Sequence, residues 1–309
     1  MNKTVVSIIM ATYNRAHLIV ETIRSIQAQE FENFECIIVD DGGQDNTAAV
    51  LQPILKEDSR FSFLKRPESY AKGLPGCRNC GIDRAKGNYI IFFDDDDIVH
   101  PDNLKLCVHY LEESQKEFCR YLRAAFYGEF DYKFDRSTSF ASFPINGKKE
   151  VYKMISGSLP FNSCAVMWKA NQLKENPFKE DLMYAEEWEC YSRILANGAQ
   201  GTSLEKVLFF GRKHSKSNTG EYRQKNPKRI TGKIKATRYI MDNLDSKNLM
   251  SPPLNNYFLA LGKGMKERTI FDHLLNLKSL GPKEKSRLRL RSLLYPLFLL
   301  VYKLKRKTL

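Results

Sequence analysis

The sequence predicts an α/β fold in which a mostly parallel central sheet is flanked by helices and followed by a helical, basic extension. Three observations carry this. Short apolar, β-branched runs alternate with helical periodicities over the first hundred residues. Two of those runs end abruptly in carboxylates, at Asp40-Asp41 and at Asp94 to Asp97. From about Pro227 onward the strand signals give way to helical patterns rich in Lys and Arg.

Val5 to Met10 reads as a buried strand bounded by the turn-like Thr12-Tyr13-Asn14. A helix between Arg15 and Gln29 follows, with Leu18, Thr22, Ile23 and Ile26 on one face. Cys36 to Val39 is the second strand and stops at Asp40-Asp41-Gly42-Gly43. Asp45 is placed to cap the next helix, along which Ala48, Leu51 and Leu55 recur and Pro53 predicts a kink or an early end. Phe61 to Leu64 is a third strand, and the Gly-, Pro- and Ser-rich stretch from Pro67 to Gly76 is an active-site loop ahead of a short helix near Arg78 to Ala85. Tyr89 to Phe93 is a fourth strand that runs into the four aspartates. Pro101 then opens a helix marked by Leu104, Cys107, Val108 and Leu111. Beyond it, Tyr121 to Phe143 reads as strands and loops, Cys164 to Trp168 as a strand, Trp188 to Ala196 as a helix, and Leu204 to Arg212 as a strand entering the polar loop KHSKSNTG. Ligands of such sheets bind beyond the carboxyl ends of the strands, where both acidic clusters lie.

A chain of 309 residues with 42% hydrophobic and 28% charged side chains buries a sizeable core, which excludes a mini-protein or a disordered chain. Forty-nine Lys and Arg against 36 Asp and Glu leave a net charge of +13 and favour an anionic partner. No apolar stretch reaches bilayer-spanning length, and Met1 leads directly into a strand, so a cytoplasmic location is expected. Seven scattered Cys fit reduced thiols, and the lone Cys77-x-x-Cys80 has no second ligand pair to make a zinc site.

Four adjacent carboxylates at the exit of a buried strand repel one another unless solvated or bound to a cation, and a divalent ion carrying a diphosphate would relieve them. In this context the order and spacing of ATYNR (11–15), VDDGGQD (39–45), CRNCGIDRAKGNYIIFFDDDD (77–97) and AEEW (185–188) resemble the inverting family 2 glycosyltransferases, whose catalytic domain has the GT-A fold. The resemblance covers roughly residues 4–215. It implies that Tyr13 stacks on the donor base, with Thr12 and Arg15 of the same motif grouped among the donor-binding residues. It places Asp41 at the base edge with Asp40 nearby, and Arg78 on the donor diphosphate. Asp94 then lies near the ribose, Asp95 is the variable middle position, Asp96 holds Mn²⁺ or Mg²⁺, and Asp97 orients the cluster. His214 falls where a basic or metal-binding loop residue covers the diphosphate. Glu187, the second acid of the pair before a helix, is the expected base for the acceptor hydroxyl. Three residues depart from the usual pattern: Ala11, Gly43 in place of Ser, which is expected to loosen a turn, and Glu187 in place of Asp, which shifts the base by about one methylene.

The expected division is a catalytic domain over 1–220, with a nucleotide-sugar half (1–115) and an acceptor half (116–220), and a helical region over 221–309. In the latter, LLYPLFLLVY lies between RLRLR and KLKRK, a pattern suited to the interface of an anionic membrane. The expected partners are a nucleotide-diphosphate sugar, with UDP the first expectation, a glycan or lipid-linked acceptor, and that membrane surface, with no nucleic acid. Two other readings were weighed. A nucleotidyltransferase making nucleotide sugars would begin with a Gly-rich phosphate loop, where this chain has ATYNRAH. A basic nucleic-acid-binding protein would not expose carboxylate clusters in its N-terminal half.

Overall fold

The structure, a computed structural model, describes residues 4–131, 133–214 and 217–307, with side chains as far as residue 294. The chain forms two compact units, Met1–Ala236 and Thr237–Leu309.

The first unit opens with β1 (Val6–Thr12), α1 (Ile19–Gln27), β2 (Phe34–Asp40), α2 (Thr47–Glu57), β3 (Phe61–Lys65), α3 (Leu74–Arg84) and β4 (Tyr89–Phe92). It continues through β5 (Ile98–Val99), α4 (Asn103–Ser114), β6 (Phe118–Phe126), β7 (Ser142–Asn146), α5 (Gly147–Ser156), β8 (Val166–Lys169) and α6 (Ala170–Lys174). Then come α7 (Glu186–Ala196), β9 (Gln200–Arg212), α8 (Asn218–Arg223) and α9 (Pro227–Ser246), inside which the two units divide. The sheet order is β3-β2-β1-β4-β8-β6-β9-β5, with β7 also pairing β9. β3, β2, β1 and β4 are parallel, β8 is antiparallel to β4 and β6, and β6 is parallel to β9. Strands β1 to β4, β6 and β9 therefore point one way, and their carboxyl ends share one edge.

Strands β1, β2 and β4 of the parallel half are buried on both faces, so they read as continuous apolar runs, while β3 lies at the sheet edge and is partly exposed. On β1, Ile8 and Met10 belong to the core that includes Ile19, Ile23 and Ile26 of α1 and Leu104 and Val108 of α4. Ile9 faces the other way, onto α3, where Gly81 leaves room for it: a Cβ there would stand 2.4 Å from Ile9 Cγ2. A second buried layer is aromatic, with Trp168 of β8 4.9 Å from both Phe118 and Tyr191 between ring centroids.

Several boundaries differ from the sequence expectation. α1 begins at Ile19 rather than Arg15, because Asn14 (φ 55) turns the chain and its side-chain carbonyl accepts the Gln44 N–H at 2.7 Å. Asn46 rather than Asp45 precedes α2, and Asp45 accepts the Thr47 N–H from one residue further out. Pro53 lies inside α2 without ending it. α3 starts ahead of Arg78, at Leu74 with Pro75 in its first turn, and Asp102 rather than Pro101 precedes α4. α5 was not anticipated. Asn146 caps it by accepting the Lys149 N–H, and it buries Val151, Met154 and Ile155.

The second unit is helical: the end of α9, then α10 (Pro252–Gly264), α11 (Arg268–Asn276) and α12 (Pro282–Lys307). Phe258, Ile270, Leu274 and Leu288 are buried. No helix among the described residues is long and apolar enough to cross a membrane.

Gly81→Ala is expected to destabilise the chain by about 1–3 kcal/mol, because the strand below α3 cannot move aside. Gly264→Ala, at a helix end with open space around it, is expected to be neutral or slightly stabilising. Urea unfolding midpoints of the two variants check both.

Candidate active site

The carboxyl ends of β1, β2, β4 and β9 bring the expected residues to one edge. The turn after β4 carries the four aspartates, and β9 clamps it. Arg212 N–H donates to Asp97 Oδ1 at 2.6 Å, Arg212 Nε donates to the Asp96 carbonyl at 2.9 Å, and the guanidinium also reaches Glu21 at 2.5 Å. That clamp carries the next residues over the turn, so His214 Nε2 lies 2.8 Å from Asp96 Oδ2. From the opposite side Arg15 Nε donates to Asp95 Oδ1 at 3.3 Å, and its Nη2 is 4.0 Å from Asp96.

The cluster is electrostatically unrelieved despite these cations. Burial, and then the charge of Asp96, pushes the Asp95 carboxyl up to about 7, against the Thr12 hydroxyl and Arg15. Burial and the charges of Asp94 and Asp96 push Asp97 well above the usual carboxylate range. A dication beside them would favour their ionised form. The partly exposed Asp96 carboxylate and His214 imidazole fit that ion, because oxygen and imidazole donors suit Mn²⁺ and, more weakly, Mg²⁺. Another trio, Asp94, Asp97 and Cys164, has potential ligand atoms within 4.8 Å of one another. It fits poorly: burial, then the charges of Asp94 and Asp97, pushes the Cys164 thiol up and keeps it protonated. All seven cysteines are free and buried, Cys77 and Cys80 on α3 among them.

Arg78, expected on the diphosphate, is engaged by two carboxylates of the protein. It is buried, and Nη1 donates to Glu186 at 3.0 Å while Nη2 donates to Asp94 at 3.4 Å. Its guanidinium carbon lies 5.3 Å and 5.4 Å from the ring centroids of Phe92 and Phe178. Arg78 is therefore a strut that ties the aspartate turn to the start of α7. Asp40 is buried as well and accepts the Gly43 N–H at 3.0 Å, which turns its carboxylate into a brace of the β2 turn. Gly43 tightens that turn rather than loosening it. A Cβ there would stand 2.9 Å from Asp40 Oδ1 and 3.1 Å from the Asn14 nitrogen. Asp41 accepts from Arg66 Nε at 2.6 Å and from the Gly73 N–H at 3.0 Å, closing the loop ahead of α3 onto β2. Tyr13 is 47% exposed, with the Lys72 ammonium 5.4 Å from its ring centroid. An open aromatic face at the end of β1 can stack on a planar base.

At the start of α7, Glu186 is buried against Arg78 while Glu187 remains partly exposed. Burial and the Glu187 charge push the Glu186 carboxyl up, and Arg78 pulls it back. Ala185 precedes the helix at φ 64, an unfavourable left-handed geometry for a residue with a Cβ, and sets the direction in which α7 leaves. Lys233 of α9 lies with its ammonium 3.2 Å from the Trp188 ring centroid. Sequence reasoning missed the roles of Glu186, Arg212, Arg66 and Lys233. Glu186 was visible as the first acid of AEEW. The other three are ordinary basic residues whose partners the sequence does not announce.

The sequence model of Glycosyl transferase family 2 matches residues 7–170. An uncharacterized glycosyltransferase of Rickettsia conorii is 28% identical over 246 residues, which are 79% of this chain and 38% of that protein. The chain thus spans little more than a third of that relative's length. The UDP-Glc:α-D-GlcNAc-diphosphoundecaprenol β-1,3-glucosyltransferase WfaP of Escherichia coli is 39% identical over 116 residues, 38% of this chain and 44% of that one. The crystal structure of S. aureus TarS residues 1–349 with UDP superposes with a TM-score of 0.66 at 18% identity, covering 92% of this chain and 83% of that one, a likeness of fold. With more than half of its length matched by the family and the GT-A architecture in place, the chain belongs to glycosyl transferase family 2.

Proposed function

We propose that this chain transfers a sugar, with inversion, from a UDP-sugar to a hydroxyl of a lipid-linked glycan precursor for the cell surface. One observation above all supports the reading. The aspartate turn with His214 on Asp96 and the acidic start of α7 are tied together by Arg78.

In this reading Tyr13 stacks on the uracil, with Thr12 and Arg15 beside it, and Asp41 meets the base edge, with Asp40 bracing the turn below. Asp94, the most exposed of the four aspartates, receives the ribose, and Asp95 keeps Arg15 in line. Asp96 and His214 would hold Mn²⁺ or Mg²⁺, which when bound supplies the positive charge that stabilises the departing diphosphate. Glu187 takes the proton of the acceptor hydroxyl as its oxygen attacks the anomeric carbon from the side opposite the diphosphate. The bond from that carbon to the phosphate oxygen breaks and UDP leaves with the electron pair. The proton passes from Glu187 to solvent.

The acceptor class comes from the E. coli relative, whose name describes a diphosphoundecaprenol-linked substrate. A lipid-linked acceptor asks for a surface-docked enzyme. On α12 the described side chains Leu290, Leu293 and Leu294 are 57%, 75% and 50% exposed. They lie beside Arg287, Arg289 and Arg291, a composition suited to an anionic interface. The rest of the apolar run, from residue 295, lies outside the described side chains. The chain would then work in the cytoplasm, peripheral to the membrane.

In a thermal-shift screen of UDP-, GDP-, dTDP- and CMP-sugars, a UDP-sugar with Mn²⁺ is expected to raise the midpoint by several degrees. Asp96→Ala is expected to remove the Mn²⁺-dependent part of that rise and to abolish transfer. A UDP-sugar shift equal in the variant and the unchanged chain would contradict the metal assignment. Glu187→Gln is expected to lower turnover by about 10²–10⁴-fold while donor binding persists, which steady-state kinetics and the same shift assay resolve. In vesicle sedimentation, binding is expected with phosphatidylglycerol and not with phosphatidylcholine. Leu293→Glu is expected to weaken it.

A further inference from the structure

We infer that Arg123, at the end of β6, and Lys213, just beyond β9, form a phosphate-binding site that takes the diphosphate of the acceptor. The inference rests on the reading of the acceptor as a sugar carried on a lipid diphosphate.

The site starts from a cation that the protein leaves unpaired. Arg123 is half-buried on β6, and its Nε is shut away from solvent without a hydrogen-bond partner. Among the described residues, nothing hydrogen-bonds or ion-pairs with its guanidinium. That sets it apart from Arg15, Arg78 and Arg212, each of which is engaged by a carboxylate. A guanidinium offers five N–H donors and cannot shed its charge, so one left without partners is suited to an anion from outside the chain.

The strand register decides where it lies. Ala125 of β6 stands opposite Gly211 of β9, and Phe126 stands opposite Arg212. Residues two apart on a strand share a face, so Arg123 and Ala125 point the same way, and the exposure of Ala125 shows that this face is open where β6 ends. Gly211 lets the guanidinium lie against the neighbouring strand: a Cβ there would stand 2.6 Å from Arg123 Nε and 2.7 Å from its Cζ. The next residue, Arg212, gives its N–H to Asp97 at 2.6 Å, so the guanidinium rests one residue from the aspartate turn without pairing to it. Lys213 extends the ladder by donating its N–H to the Phe126 carbonyl at 2.9 Å, which puts it two residues beyond Gly211 on the same side. Its ammonium also makes no hydrogen bond or ion pair among the described residues. Burial, and then the Arg123 charge, hold that lysine below its ordinary range, a repulsion that a shared anion would relieve.

The sheet order favours the acceptor's phosphates over the donor's. Tyr13 and Asp41 follow β1 and β2, whereas β6 and β9 lie beyond β4 and β8. The donor's diphosphate already has its place in the proposed mechanism, on the ion held by Asp96 and His214. A second set of cations fits a second diphosphate, and the E. coli relative's name describes an acceptor that carries one. The planar fork of Arg123 can grip one phosphate through two parallel hydrogen bonds, with Lys213 as a point charge beside it.

The test uses the full chain with UDP-glucose, Mn²⁺ and three acceptors: octyl GlcNAc-diphosphate, octyl GlcNAc-monophosphate and phosphate-free octyl GlcNAc. Arg123→Met is expected to raise the KM of the diphosphate acceptor by about 10–100-fold, the worth of a hydrogen bond to a charged group. The UDP-glucose KM and the turnover of phosphate-free octyl GlcNAc are expected to stay within about twofold, and Arg123→Lys to recover part of the loss. The thermal midpoint of Arg123→Met is expected to be unchanged or raised, because no partner is left stranded. Gly211→Ala gives a second variant: its methyl would push the mobile end of Arg123 aside at little cost in stability and raise the same KM. Equilibrium binding of octyl GlcNAc-diphosphate, without donor or metal, is expected to weaken in the same order. An acceptor KM that Arg123→Met leaves unchanged overturns the inference, as does equal use of the three acceptors by the unchanged chain; sugar transfer as such survives either result. A rise in the UDP-glucose KM with the acceptor KM unaffected assigns the two cations to the donor and overturns it too. If the unchanged chain glycosylates none of the three, the functional reading fails by itself. Binding of octyl GlcNAc-diphosphate that Arg123→Met weakens would then still establish the phosphate site, and binding that it leaves intact would remove it.

Discussion

The buried guanidinium of Arg78 is the constraint on which the rest of the site depends. It lies on α3, between the end of β4 and the start of α7, and donates to a carboxylate from each. Asp94 is 16 residues away in sequence, but Glu186 is 108. Removing one partner of a buried pair leaves the other unpaired at a cost of about 3–5 kcal/mol, which is why such an arrangement persists once packing has formed around it. The rings of Phe92 and Phe178 shield the guanidinium and concentrate its field on the two acids. The end of β4 and the start of α7 therefore cannot drift apart independently.

Around this strut the cleft is assembled from opposed charges. The four aspartates are met by Arg15 from the turn after β1, Arg78 from α3, Arg212 at the end of β9 and His214 just beyond it. Even so, Asp95 and Asp97 hold protons more tightly than ordinary carboxylates. The acidic turn stands out against an overall charge of +13.

Much of the parallel half was legible in the sequence, because a strand buried on both faces writes itself as an unbroken apolar run and the carboxylates mark where it stops. The acidic motif at 94–97 and the pair at 186–187 were legible for the same reason: charges beside apolar runs have few structural explanations. Arg78 was legible as a cation of the motif, but its protein partners were not. That Glu186 would reach it is a matter of long-range packing. α5 escaped notice because its apolar face is short, only Val151, Met154 and Ile155, and follows a Lys-rich start. The two-residue β5 has no periodicity to read, and its pairing with Phe209 and Phe210 of β9 decides it. Gly43 was misjudged in kind. A glycine beside two aspartates reads as slack, yet here it is close approach, since the Asp40 carboxylate occupies the space a Cβ would need.

Another departure from the family pattern, Glu187 in place of Asp, bears on why α7 is held so firmly. A glutamate reaches about one methylene further and has one more rotatable bond, so its carboxylate samples more positions unless something outside the residue restrains it. The backbone beneath it is restrained three ways: by the Arg78–Glu186 pair, by the left-handed Ala185, and by the hold of α8 and α9 on residues 183 and 184, where Tyr184 stacks on Tyr222 and Arg229 donates to the Met183 carbonyl. With the backbone held at these points, what freedom the longer acid keeps lies in its own side-chain rotamers, so the placing of its carboxylate is decided by the direction in which α7 leaves Ala185.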